Sequence, residues 1–254
     1  MSDFDRCDEI AVVVGATGDF GGAIVSRLLD AGLGVLAVAR RAEGLRSLED
    51  RHAGVRGCIA DIGDDGAVEA IAEHARKTVR IVVHGPGVAV AGGILNAPPA
   101  ALADAVNIKV GGMLRVVRAV DRRLRAGSRL VGIAGHYGLE PTAYAAAAGV
   151  ANAALINAIR QLSLAYGERG ITAHGIAPGP ADTARLHRVA ADRASMRGTT
   201  VDGVLGEMRA ESSIGALVTP EQVAWAVGLL LAPEADAMTG STLMLDAGRR
   251  RGLP

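Results

Sequence analysis

The sequence predicts a single α/β domain, a doubly wound parallel sheet of about seven strands flanked by helices. Three observations predict it. Short, nearly all-apolar runs alternate with longer helix-patterned stretches throughout the 254 residues, as a parallel sheet covered on both faces requires. A glycine-rich turn follows the first of these runs directly. No linker, repeat or low-complexity tract interrupts the alternation, so one domain is expected over 1–254.

Taken in order, the strands are Ile10–Val14, Val35–Ala39, Val55–Ile59, Ile81–His84, Arg129–Ala134, Ile171–Ala177 and Thr242–Leu245. Each is too short for a helix and is rich in β-branched or small apolar residues. Helices are expected near 21–31, 64–77, 99–125, 142–167 and 220–231, with a weaker one near 43–52. The 220–231 helix opens Thr219-Pro220-Glu221, a capping residue followed by proline at the first helical position. Residues 184–213 break the rhythm with mixed charge and many small side chains. In a doubly wound sheet the ligand crevice lies at the carboxyl ends of the strands, and an insertion placed there is expected to be a mobile lid.

Composition narrows the function classes. With 27 basic and 27 acidic residues the net charge is zero, which gives no footprint for nucleic acid or an anionic membrane. Cys7 and Cys58 cannot build a disulfide framework, and no His/Cys cluster suggests a metal. The acidic, polar start MSDFDRCDE is unlike a secretion signal, and no apolar run is long enough to span a bilayer. A cytoplasmic protein with a small-molecule partner is expected.

Val14-Gly15-Ala16-Thr17-Gly18-Asp19-Phe20-Gly21-Gly22 reads as strand end, tight turn and helix start. Gly15 permits the turn, Gly18 lets backbone approach a pyrophosphate, and Gly21 lets the helix lie against the strand. The helix N-terminus then offers unpaired N–H groups and a positive dipole end to phosphate. This is the dinucleotide-binding arrangement of a Rossmann-like sheet. The second strand ends in Ala39-Arg40-Arg41, without the acid that binds a ribose 2′-hydroxyl. Arginine clamps a 2′-phosphate, so Arg40 and Arg41 favour NADPH, with NADH the alternative if the pair is merely solvated. Asp61-Ile62 after the third strand suits the adenine amine and ring.

The spacing of the glycine turn, Asp61, Asn107, Pro178-Gly179-Pro180-Ala181-Asp182-Thr183 and Thr239-Gly240 before Leu245-Asp246-Ala247-Gly248 resembles the short-chain dehydrogenase/reductase family over essentially the whole chain. The resemblance implies that Pro178, Gly179 and Thr183 hold the nicotinamide end, and that subunits pair into a dimer or tetramer. The chain departs from the family at two motifs. Asp19 stands where short members carry glycine, as in extended members, and the fourth-strand motif is His84-Gly85-Pro86-Gly87, with Gly85 and Pro86 against the cofactor.

The resemblance also implies a catalytic serine, tyrosine and lysine, with an asparagine supporting a water chain. Asn107 matches the asparagine. Counting back from Arg169-Gly170-Ile171 without a gap places Asn152 at the lysine position, Ala148 at the tyrosine position and Gly135 at the serine position. Independently of register, no lysine follows Lys109 and no serine lies between Ser128 and Ser163. His136 and Tyr137 follow the fifth strand and can donate protons, although wall residues are equally expected there. Tyr144 is expected one helical turn before Ala148 on the same face, with no cation following to lower its pKa. Asn152 keeps a hydrogen bond to ribose without the charge. His174 and His187 have no partner acids at a telling spacing.

The chain is therefore expected to be an atypical ketoreductase resembling those that tailor aromatic polyketides, angucyclinone reductases among them. The substrate would be an aromatic ketone whose own phenol supplies the proton. Two other readings stay open: a non-catalytic NAD(P)-binding sensor or scaffold, and a non-redox cyclase or isomerase.

Overall fold

The computed structural model describes residues 3–89 and 92–252. Seven strands, β1 Glu9–Val14, β2 Gly34–Ala39, β3 Val55–Ile59, β4 Thr78–His84, β5 Arg129–Ile133, β6 Thr172–Pro178 and β7 Thr242–Leu245, form one parallel sheet ordered β3-β2-β1-β4-β5-β6-β7. Alternate residues of these apolar runs face opposite layers. Val12, Leu36, Val82 and Leu130 pack with Met113, Val116, Leu155 and Ile159 on one face. Val13, Val35, Val83 and Val131 pack with Ile24, Leu28, Leu45 and Val223 on the other. The predicted fold class is the observed one.

The helices are α1 Asp3–Arg6, α2 Asp19–Asp30, α3 Ala42–Arg51, α4 Ala67–His74, α5 Pro99–Val106, α6 Gly112–Val120, α7 Ala146–Tyr166, α8 Ala184–Arg197, α9 Val201–Ala210 and α10 Pro220–Leu229. Strand order reverses between β1 and β4, so the connections leaving these two strands diverge and open a crevice at their carboxyl ends.

Three elements differ from expectation in ways that shape the site. The expected 99–125 helix is α5 and α6 joined by a five-residue π-helical turn, Asn107–Gly111. A wider turn rotates the residues it contains relative to an unbroken helix. The expected 142–167 helix begins only at Ala146, because the backbone before it bonds elsewhere. Ile94 N–H donates to the Ala143 carbonyl at 2.9 Å and Ala146 N–H to that of Gly92 at 3.3 Å. Tyr144 thus lies in a turn and not on α7. The expected 64–77 helix is shortened to α4, since Asp64 closes a turn onto Gly66 N–H at 2.8 Å.

Residues 184–213 hold α8 and α9, which share a small core of Ala190, Ala194, Val204, Leu205 and Met208 separate from the two main layers. No helix among the described residues is long and apolar enough to cross a membrane.

Candidate active site

The crevice is a cleft of about 1060 Å³ running from the end of β2, over the glycine turn, to the α8–α9 pair. At its centre the backbone of Gly15 has φ +83°, and a Cβ there would come within 3.2 Å of the Gly85 and Pro86 backbone. A Cβ on Gly21 would lie 2.2 Å from the Gly15 carbonyl oxygen. Glycine at these two positions is what lets the turn, α2 and the β4 connection meet. Gly18 caps α2 without a side-chain bond, which leaves first-turn N–H groups for an anion. This cradle fits a dinucleotide pyrophosphate.

The expected cofactor residues Gly15, Thr17, Gly18, Asp19, Phe20, Gly21, Arg40, Asp61, Ile62, Gly85, Pro86, Asn152, Pro178, Gly179 and Thr183 all line this cleft. Arg41 does not. The chain turns into α3 there, and Arg41 becomes its N-cap, leaving Arg40 as the cleft's arginine at the end of β2. Asp19 Oδ2 accepts from Ala184 N–H at 3.1 Å, which ties the start of α2 to the start of α8. Thr183 caps α8, its hydroxyl accepting from Leu186 N–H at 3.2 Å.

Gly135, Ala148 and Asn152 share the floor of the cleft. A Cβ added to Gly135 would meet Asn152 Nδ2 at 2.8 Å, so the glycine and the amide occupy complementary space. Asn152 is 6% exposed and its Oδ1 has no hydrogen-bond partner. His136 and Tyr137 form the wall after β5, their rings 4.1 Å apart. Burial, then the Arg249 charge, lowers the His136 pKa to about 4, so the imidazole is neutral near pH 7.

Tyr144 reaches the same wall from its turn, and its hydroxyl is hydrogen-bonded to that of Tyr137. Burial and then this bond raise the Tyr137 pKa to about 12. Burial also opposes ionisation of Tyr144, but bonds from Tyr137, Arg193 and Arg249 outweigh it and lower its pKa. The Arg193 guanidinium sits 4.8 Å from the Tyr144 ring centre, and Arg249 is paired with Glu211. The cations absent from the local sequence come from α8 and the chain end, too far along the chain for motif spacing to reveal.

Asn107 does not enter the cleft. Its Nδ2 donates to the Gly63 carbonyl at 2.8 Å, and its Oδ1 accepts from Arg115 at 2.9 Å, on the outer side of the π turn. Lys109 enters instead. It is 4% exposed, and its Nζ donates to the Ile133 carbonyl at the end of β5, 2.7 Å away. Burial and then Arg185 lower its pKa to about 7. Behind it His84 is fully buried, with Nε2 3.0 Å from the Ile108 carbonyl and Nδ1 unpartnered. Burial and then Lys109 push the His84 pKa down to about 3. Sequence reasoning missed Lys109 because a regular helix was assumed through 107–111. His187, expected to be without an acid, pairs with Asp182 at 2.6 Å outside the cleft.

Residues 15–250 match the short-chain dehydrogenase family described as enoyl-(acyl carrier protein) reductase. The chain is a short-chain dehydrogenase/reductase. It is 27% identical to the short-chain reductase protein NovJ of Streptomyces niveus, covering 95% of this chain and 94% of that one. It is 28% identical to a putative ketoacyl reductase of Streptomyces coelicolor, covering 94% and 96%. Among solved structures, a variant of the actinorhodin polyketide ketoreductase with NADPH superposes with a TM-score of 0.87 at 26% identity, covering 98% and 99% of the two chains. This family member is an oxidoreductase, and the ketoreductases are among its relatives.

Proposed function

We propose that this short-chain dehydrogenase/reductase is an NADPH-dependent ketoreductase of aromatic polyketide tailoring that works without the family's serine, tyrosine and lysine. One observation carries the reading. Gly15, Gly18, Gly21 and Arg40 line one end of the cleft, whereas Gly135, Ala148 and Asn152 line the end where the missing groups would act. The relatives named above supply the chemical class, and the NADPH bound by the actinorhodin reductase agrees with Arg40 at the end of β2.

In this reading Arg40 holds the 2′-phosphate, the first turn of α2 holds the pyrophosphate, and Asp61 meets the adenine amine. Pro178, Gly179 and Thr183 face the nicotinamide, and Asn152 bonds ribose through its amide. Bound NADPH supplies the hydride. The small side chains at 135 and 148 leave room for a flat polycycle whose ketone is already hydrogen-bonded by a neighbouring phenol, and that phenol gives its proton to the reduced oxygen. The pattern resembles the angucyclinone 7-ketoreductase of simocyclinone biosynthesis in its missing triad and its glycine turn. The α8–α9 pair, with its own small core, closes over substrate as a unit.

NADPH oxidation with matched polycyclic ketones tests this. A free phenol beside the ketone should support turnover, and its methyl ether should be slower by about 10²–10⁴, the usual worth of a general acid. Equal rates for phenol and ether would contradict substrate assistance. Turnover without any coenzyme would favour the cyclase or isomerase.

A further inference from the structure

Substrate-assisted reduction leaves one proton unassigned. When hydride adds to the carbonyl carbon, the C=O π pair moves to oxygen, and the neighbouring phenol protonates that oxygen. The phenol is left as a phenolate. Overall, ketone, NADPH and one H⁺ become alcohol and NADP⁺, so a proton must still enter from outside the substrate.

We propose that Lys109 is the group that delivers this proton, restoring the phenol inside the cleft. The inference rests on the ketoreductase reading and assigns it a residue. Its basis is placement. Lys109 Nζ has three N–H bonds and one hydrogen-bond acceptor among the described residues, the Ile133 carbonyl. That carbonyl ends β5, two residues before Gly135, and Lys109 lines the same cleft as Gly135, Ala148 and Asn152, where the ketone would lie. A buried cation is costly unless an anion balances it, and the neighbouring elements provide none. His84 faces it from β4, Arg185 from α8, and Asn152 lies on the cleft face of α7. On α5, Asp104 is exposed, and on α6, Arg115 is turned toward Asp65 and Asn107. An incoming phenolate is the partner this charge lacks. The family resemblance places a cation at position 152; here that position is Asn152, and the lysine that lines the cleft comes from the π turn.

Transfer breaks one ammonium N–H bond and forms the phenol O–H bond. The neutral amine then recovers a proton from water as product leaves. Its lowered pKa, near 7, suits a group that both gives and regains a proton at neutral pH.

Stopped-flow single turnovers with a phenolic polycyclic ketone, in wild type, Lys109→Met and Lys109→Arg, test this. The readouts are NADPH absorbance, the red-shifted absorbance of the bound phenolate, and NADPH affinity measured separately. Wild type should show no phenolate intermediate near pH 6, and the rate of phenolate decay, with kcat once that step limits turnover, should fall about tenfold per pH unit above pH 7. Lys109→Met should bind NADPH as wild type does, accumulate phenolate after hydride transfer, turn over about 10²-fold more slowly, and lose the pH dependence. Lys109→Arg should neutralise the phenolate electrostatically yet release its proton poorly, giving a slow, pH-independent rate. A Lys109→Met protein with wild-type rate and pH profile would overturn the assignment while leaving the reductase reading intact, as would phenolate accumulating in Tyr144→Phe and not in Lys109→Met. No hydride transfer in wild type with any such ketone would overturn the reductase reading, and the Lys109 assignment with it.

Discussion

Lys109 places a titration inside the fold, so it should be visible in stability as well as in turnover. Burial lowers its pKa to about 7 in the folded chain, against 10.5 for the free group. Between these values the unfolded chain binds more protons than the folded one, so stability must rise with pH. From pH 7 to 8.5, above the range of histidine and below that of the raised Cys58 thiol, urea unfolding should show a gain of up to about 1.4 kcal/mol per pH unit. Lys109→Met should flatten that slope and be more stable than wild type at pH 7. Gly135 is constrained by its neighbour and not by its backbone. Its φ is extended and tolerates any residue, but a Cβ meets the Asn152 amide at 2.8 Å. Gly135→Ser should cost about 1–3 kcal/mol by overpacking, and much of this should return in Gly135→Ser/Asn152→Ala, measured as a double-mutant cycle. Gly135, Ala148 and Asn152 were expected at one site from their spacing along the chain, and all three line the cleft. Lys109 was not expected there, since a π turn leaves no mark in apolar periodicity.

Among the elements, the start of α2 is the most demanding. A methyl group on Gly21 would overlap the Gly15 carbonyl oxygen, a backbone atom that cannot swing away. Gly21→Ala should therefore lower the melting temperature sharply and abolish NADPH binding, whereas Gly22→Ala, which meets nothing within 4 Å, should be tolerated. At the other edge of the cleft Thr183 caps α8, and Thr183→Ala should cost about 1 kcal/mol in denaturant unfolding. Both cap and glycine turn were readable from local chemistry. The start of α7 was not. Residues 142–145 look helical, but the 92–94 backbone takes their hydrogen bonds, and that competition is tertiary. It places Tyr144 in a turn, where burial opposes its ionisation but bonds from Tyr137, and then from Arg193 and Arg249 in distant parts of the chain, lower its pKa.

Across the molecule, strand count and sheet class followed from the apolar runs, because a parallel sheet buried on both faces leaves little freedom in composition. The cleft followed from the strand-order reversal between β1 and β4. Arg40 sets coenzyme selectivity in the proposed function: Arg40→Ala should weaken NADPH by about 10–100-fold, the worth of a charged hydrogen bond, and NADH far less in a fluorescence titration. Equal weakening would contradict the 2′-phosphate assignment. The proposed function requires this cleft to deliver hydride to a phenolic ketone with no catalytic triad. Mass spectrometry of a single turnover with NADPH deuterated at C4, run with each stereoisomer in turn, follows that hydride. One isomer should place deuterium on the carbinol carbon of the product; unlabelled product from both, or no alcohol at all, would contradict that function.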